Sequence, residues 1–261
     1  MIKIKGIKSL YNINLAEGEG LGTAYEYYIK LRKLKKFINS IKNLSQILIA
    51  GLPQKYGLSM DFFLLGQMLQ AETVVVDERP DILERAQKVF QTLNTKKIFG
   101  GSKVFFLKTE RIERFTGLSS KNRRFDLALS SEVLQRLDGA RGIYISNLIR
   151  LAENFALFAP NRENRSHARW SGLSGVSLEE LTAHCVEGDS KADIFDCGYL
   201  DMPPFPPGLS RSKEKRQQAA ESRLEALLMK GLEIYNLGES LIPDFIKKRK
   251  AHIVYALVKS P

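Results

Sequence analysis

The sequence predicts a single α/β domain built on a seven-stranded, mostly parallel open sheet. Short apolar, β-branched runs alternate with helix-like stretches, which is the pattern of parallel α/β winding. The 261 residues are 44% apolar and 26% charged, so a buried core can form. The longest apolar runs fall far short of the ~20 residues of a membrane-spanning helix. The first five residues lack a secretory signal pattern. We therefore expect a cytoplasmic protein without a membrane partner.

Residues 1–45 are predicted to form an N-terminal helical lid. Thr23 and Glu26 have the spacing of a capping box, and apolar side chains recur at helical spacing over 24–41. The same spacing leaves Lys30 and the neighbouring lysines largely for solvent.

The segment before this helix, residues 11–23, is turn-rich and has three glycines in five residues. Two interpretations stay open. It is either a flexible lead-in or a cradle that folds over a ligand, with Tyr11 and Tyr25 as wall residues.

Residues 46–200 are predicted to form the core of the sheet, with each strand a short apolar run between turn signals. Strands are predicted over 47–51, 73–77, 104–107, 125–130, 155–159 and 194–199. Helices are predicted after Ser59, over 81–92, over 143–151, and after a second capping box at Ser177.

The remaining chain is predicted to be an insertion, residues 201–250, followed by a last strand within 251–261. The insertion starts with a proline-rich stretch that excludes a helix or a central strand, and continues as a helix through residues 224–234. A lid, a binding surface and a homodimer contact are all compatible with it.

Two residues at the ends of neighbouring strands indicate a ligand site. In an open α/β sheet, ligands bind beyond the carboxyl ends of the strands, where the strand order reverses. Gly51 ends the first strand, and its missing Cβ lets backbone amides approach a ligand. Asp77 ends the second strand, where a carboxylate accepts hydrogen bonds from ribose hydroxyls. Taken singly, Gly51 is compatible with a tight turn and Asp77 with a helix cap. Together they favour an adenosine-containing ligand.

Two segments, residues 77–88 and 125–134, resemble the regions after strand two and at strand four of class I S-adenosylmethionine-dependent methyltransferases. The loop 160–175 is similar to the loop after strand five in methyltransferases that act on small molecules. The resemblance covers roughly residues 47–199. It implies a Rossmann-like sheet with an antiparallel last strand, S-adenosylmethionine as cofactor and a small-molecule methyl acceptor.

The resemblance also implies which residues hold the cofactor. Asp77 would bind the ribose, Thr109 or Glu110 would flank the adenine, and the end of strand four would line the methionine side. The full implied set is Gly51, Pro53, Gly57, Asp77, Glu78, Thr109, Glu110, Ser130, Ser131 and Glu132.

The first motif departs from the family pattern. Ile49 stands where an acid usually helps to hold the cofactor's ammonium group, and Pro53 stands where a second glycine usually allows close approach. Gly57 is predicted to restore that approach from a longer loop. The departure supports an alternative function, a catalytically inactive relative that serves as a binding or scaffolding protein. A dinucleotide fingerprint is also absent, which counts against NAD.

His167 is the candidate catalytic residue. Methyl transfer is an in-line displacement that depends on positioning, and an oxygen or nitrogen acceptor also needs a base. His167 lies in the loop after strand five, with Asn161 as a substrate-side residue. Its alternative role is a hydrogen bond to the backbone. Cys185 and Cys197 have no metal-ligand spacing, and we expect no metal.

The net charge of +11 is concentrated at the two ends of the chain. Residues 1–45 hold nine Lys and Arg against three acids, and residues 208–261 hold eleven against six. A nucleic-acid methyltransferase is therefore a further alternative. The basic runs lack interleaved aromatic residues, so a solvated lysine-rich surface is the favoured interpretation.

Overall fold

A computed structural model describes residues 4–101, 103–117, 124–187, 192–204 and 222–261 of the protein. The strands are β1 (Gln46–Ala50), β2 (Glu72–Asp77), β3 (Val104–Lys108), β4 (Leu127–Ser131), β5 (Asn154–Pro160), β6 (Asp193–Leu200) and β7 (Ile253–Lys259). They form one seven-stranded sheet in the order β3-β2-β1-β4-β5-β7-β6. Only β7 runs antiparallel to its neighbours, β5 and β6. The predicted sheet is confirmed.

The helices of the described ranges cover both faces of this sheet. They are α1 (Ile7–Glu17), α2 (Leu21–Asn39), α3 (Met60–Leu69), α4 (Pro80–Thr95), α5 (Arg141–Leu151), α6 (Arg165–Ser171), α7 (Leu178–Glu187), α8 (Arg223–Ser240) and α9 (Asp244–Lys250). One apolar cluster joins the sheet to α1–α4 and α8, and a second joins it to α5 and α7. Because β1, β4 and β5 are buried on both faces, their sequences are nearly continuous apolar runs.

The strand order places the candidate site. Strand β1 pairs with β2 on one side and with β4 on the other, so the chain winds in opposite directions from this point. Ligands of open α/β sheets bind at such a reversal, beyond the carboxyl ends of the strands. Helices α1 and α2 belong to the apolar cluster on one face of this region.

The start of the chain differs from the prediction. Residues 11–23 are not a turn-rich lead-in, because α1 covers 11–17 and α2 begins at Leu21; helix α1 buries Ile7, Leu10 and Ile13 at helical spacing. Gly18 ends α1 in the left-handed conformation, with φ of 84°.

The first predicted capping box is wrong. Helix α2 begins two residues before Thr23, with Gly20 at its N-cap and no side-chain cap. The Thr23 hydroxyl instead lies 3.5 Å from the Glu19 carboxylate. The second predicted capping box, at Ser177, is confirmed for its serine, because Ser177 Oγ accepts a hydrogen bond from the Glu180 N–H at 3.1 Å.

The predicted exposure of Lys30 is also wrong, because its side chain is 1% exposed. Helix α2 packs against both α1 and α3. These contacts bury a larger part of its surface than the single apolar stripe in its sequence indicates. Across the described ranges, no helix combines the length and the apolar character that crossing a bilayer requires.

Candidate functional site

Asp77 ends β2 with its carboxylate directed at the turn after β1. Its Oδ2 accepts a hydrogen bond from the Leu52 N–H at 2.7 Å, and the side chain is fully buried. Gly51, in that turn, has φ of 83°, and an added Cβ would lie 2.8 Å from a methyl carbon of Val133. Glycine is therefore required there by both conformation and space. The two predicted residues do lie together at the strand-order reversal.

Two arginines also bind this carboxylate. Arg79 donates from Nε to Oδ1 at 2.8 Å and from Nη2 to Oδ2 at 2.9 Å. Arg136 donates from Nη2 to Oδ2 at 3.1 Å and also pairs with Glu78. Burial raises the pKa of Asp77, but the hydrogen bonds from Arg79 and the charge of Arg136 outweigh it. The pKa is therefore lowered below its ordinary value.

The Arg79 guanidinium also binds the loop after β1. Its Nη2 donates to the Leu52 carbonyl at 2.7 Å, and its Nη1 donates to the Pro53 carbonyl at 3.3 Å. This side chain fills the space between that loop and Asp77 and is 24% exposed. No pattern in the sequence predicts this contact, although Arg79 is only two residues beyond Asp77.

The end of β4 is buried and polar. Ser130 Oγ accepts a hydrogen bond from the Tyr144 hydroxyl at 2.8 Å, and Ser131 Oγ accepts one from Lys30 Nζ at 3.2 Å. Glu132 follows with φ of 54° and is 7% exposed. Burial, with the nearby charge of Glu26, raises the pKa of Glu132 to about 8.

Lys30 is the centre of a group of buried charges that we call the Lys30 cluster, consisting of Glu26, Lys30, Asp61 and Glu132. The ammonium lies 2.9 Å from Glu26 Oε1 and 3.3 Å from Asp61 Oδ2. It also lies 4.9 Å from the ring centroid of Tyr27. Three acids share one lysine, and within the described chain Glu132 Oε2 and Asp61 Oδ1 lack a hydrogen-bond partner, whereas Asp61 Oδ2 is paired with Lys30. The cluster therefore has an excess of acids over bases.

His167 lies against a second histidine, His252, which directly precedes β7. The rings of His167 and His252 are stacked with centroids 4.1 Å apart, and His252 Nδ1 lies 3.0 Å from Asp201 Oδ2. Burial and the charge of His252 lower the pKa of His167 to about 4. For His252, burial lowers the pKa, but the charge of Asp201 outweighs it and raises the pKa. His252 is the stronger base of the pair.

An aromatic path connects these histidines to the loop after β1. Trp170 lies 6.2 Å from the His167 ring and stacks on Tyr56, with centroids 6.1 Å apart. The backbone of Tyr56 in turn hydrogen-bonds Glu132. Burial raises the pKa of Glu26, the charge of Lys30 lowers it, and the charge of Asp201 raises it further, so the histidine pair and the Lys30 cluster interact electrostatically. These contacts link the histidine pair to the end of β4.

The other predicted residues lie around this site with partners of their own. The Gly57 N–H donates to Glu19 Oε1 at 3.1 Å. The Thr109 N–H donates to the Asp77 carbonyl at 3.1 Å, and Glu110 is exposed. Asn161 Nδ2 donates to the Ala251 carbonyl at 2.9 Å.

The two predicted wall tyrosines, Tyr11 and Tyr25, are both buried. The Tyr25 hydroxyl donates to Glu239, which links α2 to α8. Nowhere in the described ranges do three or more His, Cys, Asp or Glu side chains form a group suited to a metal.

Comparison with known proteins identifies the fold. No family model and no curated protein matches the sequence. Among solved structures, the (4+2)-cyclase SpnF matches with a TM-score of 0.55 and 12% identity over 90% of this chain and 82% of its own. Magnesium protoporphyrin IX methyltransferase of Synechocystis, with bound SAH, matches with a TM-score of 0.51 and 13% identity over 92% and 84%. This chain has the class I S-adenosylmethionine-dependent methyltransferase fold.

A third methyltransferase shares the fold. Geranyl diphosphate C-methyltransferase of Streptomyces coelicolor, in complex with Mg2+, geranyl diphosphate and S-adenosyl-L-homocysteine, matches with a TM-score of 0.52 and 5% identity over 92% of this chain and 84% of its own. The methyltransferase fold therefore occurs in proteins that bind chemically different small molecules, and also in a cyclase.

Proposed function

We propose that the protein is an S-adenosylmethionine-dependent methyltransferase with a small-molecule acceptor. The observation that carries the proposal is the position of Asp77. Its carboxylate is buried at the strand-order reversal and directed at the glycine-containing turn after β1, where the methyltransferase fold suits a ribose.

The Lys30 cluster fits the cationic end of the cofactor. Glu132 Oε2 and Asp61 Oδ1 are buried without a hydrogen-bond partner in the described chain, and such groups are costly unless something binds them. We propose that Glu132 and Asp61 take over the role of the acid that is missing at Ile49. The excess of acids over bases supports a positively charged ligand there.

The region around Asp77 fits the ribose of the proposed cofactor only after the arginine side chains rearrange. Arg79 and Arg136 already use the Asp77 carboxylate, so a ribose diol has to displace at least Arg79. Arg79 is 24% exposed whereas Arg136 is 10% exposed, so Arg79 has the freer route to solvent.

The chain's own residues then exclude water and accept a proton. Bound S-adenosylmethionine would supply an electrophilic methyl group on a sulfonium sulfur. Burial of the site beneath α1 and α2 excludes water. We propose that the proton of an oxygen or nitrogen acceptor passes to the histidine pair, in which His167 is the residue predicted from the sequence and His252 is the stronger base.

Calorimetry with S-adenosylmethionine and S-adenosylhomocysteine tests the proposal. We expect micromolar binding that weakens roughly tenfold or more in Asp77→Asn, because the variant exchanges a charged acceptor for a neutral amide. Asp138→Asn is the matched control, since that side chain is 98% exposed. A folded wild-type protein that binds neither compound at millimolar concentration refutes the proposal.

The same arginines favour a second candidate function, a binding or scaffolding protein that no longer uses the cofactor. In that protein, Arg79 and Arg136 would be permanent partners of Asp77, and Ile49 and Pro53 would be neutral replacements. The two candidates predict opposite outcomes of the calorimetry.

A further inference from the structure

Helix α8 is apolar on both of its faces. On the inner face, Met229 and Leu232 are buried, 1% and 6% exposed. The outer face presents Leu227, Ile234, Leu237 and, in the turn after the helix, Leu241. Large apolar side chains that are exposed together on one face of a helix are normally covered by a neighbouring element or a partner. The outer face therefore indicates a partner.

The exposed apolar side chains continue into α9. Leu241 is 84% exposed and Phe245 is 71% exposed. Large exposed apolar side chains are concentrated in this region: Leu227, Leu228, Ile234, Leu237, Leu241, Phe245 and Ile246, against four elsewhere in the described chain. Isolated exposed apolar residues are ordinary, but a continuous patch marks an interaction surface.

The charges around this patch are nearly all positive. The three acids of α8 are turned inward: Glu225 and Glu239 are buried, and Glu233 accepts a hydrogen bond from the Ile7 N–H at 2.8 Å. Lys230 is exposed on the outer face. Helix α9 adds four consecutive basic residues in its last turn.

Two acids lie close to the basic run of α9. Asp244 is exposed in the first turn of the helix, and Glu163 pairs with Lys248 at 2.9 Å. Lys247, Arg249 and Lys250 remain to give the patch its positive charge. An apolar surface bordered by basic side chains is complementary to the surface of an anionic bilayer.

We propose that the outer face of α8 together with α9 docks on an anionic lipid surface, with Leu241 and Phe245 at the headgroup boundary and Lys247, Arg249 and Lys250 against the headgroups. The expectation of no membrane partner came from the absence of a spanning segment, and a helix that lies on the surface needs none. A second copy of the chain is the poorer partner, because a two-fold contact through this patch brings the two basic runs together.

Vesicle co-sedimentation tests the docking surface. We expect the full chain to bind vesicles of phosphatidylcholine with phosphatidylglycerol roughly tenfold more tightly than phosphatidylcholine alone, and to lose this preference at high salt. Leu241→Glu/Phe245→Glu should abolish binding, and Lys247→Glu/Lys250→Glu should abolish the preference. Ile143→Glu, at an apolar position of α5 that is 52% exposed, is the matched control.

Three outcomes overturn the proposal. The first is no binding to either vesicle. The second is binding that Leu241→Glu/Phe245→Glu leaves unchanged. The third is a vesicle-independent dimer, measured by sedimentation equilibrium, that the same double variant dissociates; a second copy then covers the patch. Circular dichroism of each variant establishes that it is folded.

Discussion

Replacing Arg79 with methionine should make the protein bind S-adenosylmethionine, the proposed cofactor, more tightly while making the free protein less stable. The variant removes the guanidinium that occupies Asp77 and keeps much of the side-chain length. Asp77 retains Arg136 and the backbone N–H groups of Leu52 and residue 79, so the buried carboxylate still has partners. The free protein should therefore fold.

The magnitude follows from the bonds that are lost. Arg79 donates two hydrogen bonds to the Asp77 carboxylate, but its guanidinium is partly exposed to water, so we count their net contribution as that of a single hydrogen bond to a charged group, about 1.5–3 kcal/mol. A ribose that displaces Arg79 from Asp77 has to overcome a contribution of this size, so its removal should tighten binding about 10- to 100-fold. The same loss should lower the melting temperature by about 3–12 °C, at about 2–4 °C per kcal/mol for a domain of this size.

Calorimetry with S-adenosylhomocysteine and differential scanning calorimetry measure the two effects on the same preparation. Arg223→Met, at an exposed arginine of α8, is the control and should change neither value. If Arg79→Met binds no more tightly than the wild type, Arg79 does not compete with the ligand for Asp77. If neither protein binds, the methyltransferase proposal itself fails.

The remaining predictions concern the buried charges. Lys30→Met should lower the free energy of unfolding, measured in urea, by about 3–5 kcal/mol, because it leaves buried acids without their cation. An unchanged urea midpoint would show that Lys30 does not stabilise these acids. The pKa of Glu132 is raised from 4.5 to about 8, so the folded state holds its proton more tightly than the unfolded state. Stability of the wild type should therefore fall as the pH rises through this interval, and Glu132→Gln should be the more stable protein at pH 8, with the difference vanishing below about pH 4.5. Equal pH profiles for the two proteins rule this out. Asp201→Asn should lower the pKa of His252 in an NMR titration, since the Asp201 charge is what raises it; an unaltered titration shows that the two side chains do not pair in solution.

The sheet was predictable because its signals are local. The run Val74, Val75 and Val76 and the short run of β1 are each sufficient to indicate a buried strand. Helix α1 differs from the prediction although Ile7, Leu10 and Ile13 have helical spacing, because the glycines that follow closely are residues typical of turns. Those glycines instead end α1 and begin α2.

The site was predictable only where it follows the strand ends. Asp77 could be found from its position after β2, but the arginines that bind it depend on how loops meet. Lys30 stands at helical spacing from Tyr27 and Leu34, which was a usable signal that its side chain faces inward. The pairing of Asp201 with His252 had no such signal, because only the antiparallel register of β6 with β7 brings together residues from two distant parts of the chain.

The position of β7 has a consequence for how the chain is made. This strand pairs with β5 on one side and with β6 on the other, yet it is the last of the seven to leave the ribosome. Until β7 is made, the edge of β5 and the edge of β6 that later pair with it present unpaired backbone groups, which are templates for association with other chains. A transcript truncated before Ile253 should therefore yield an aggregating product.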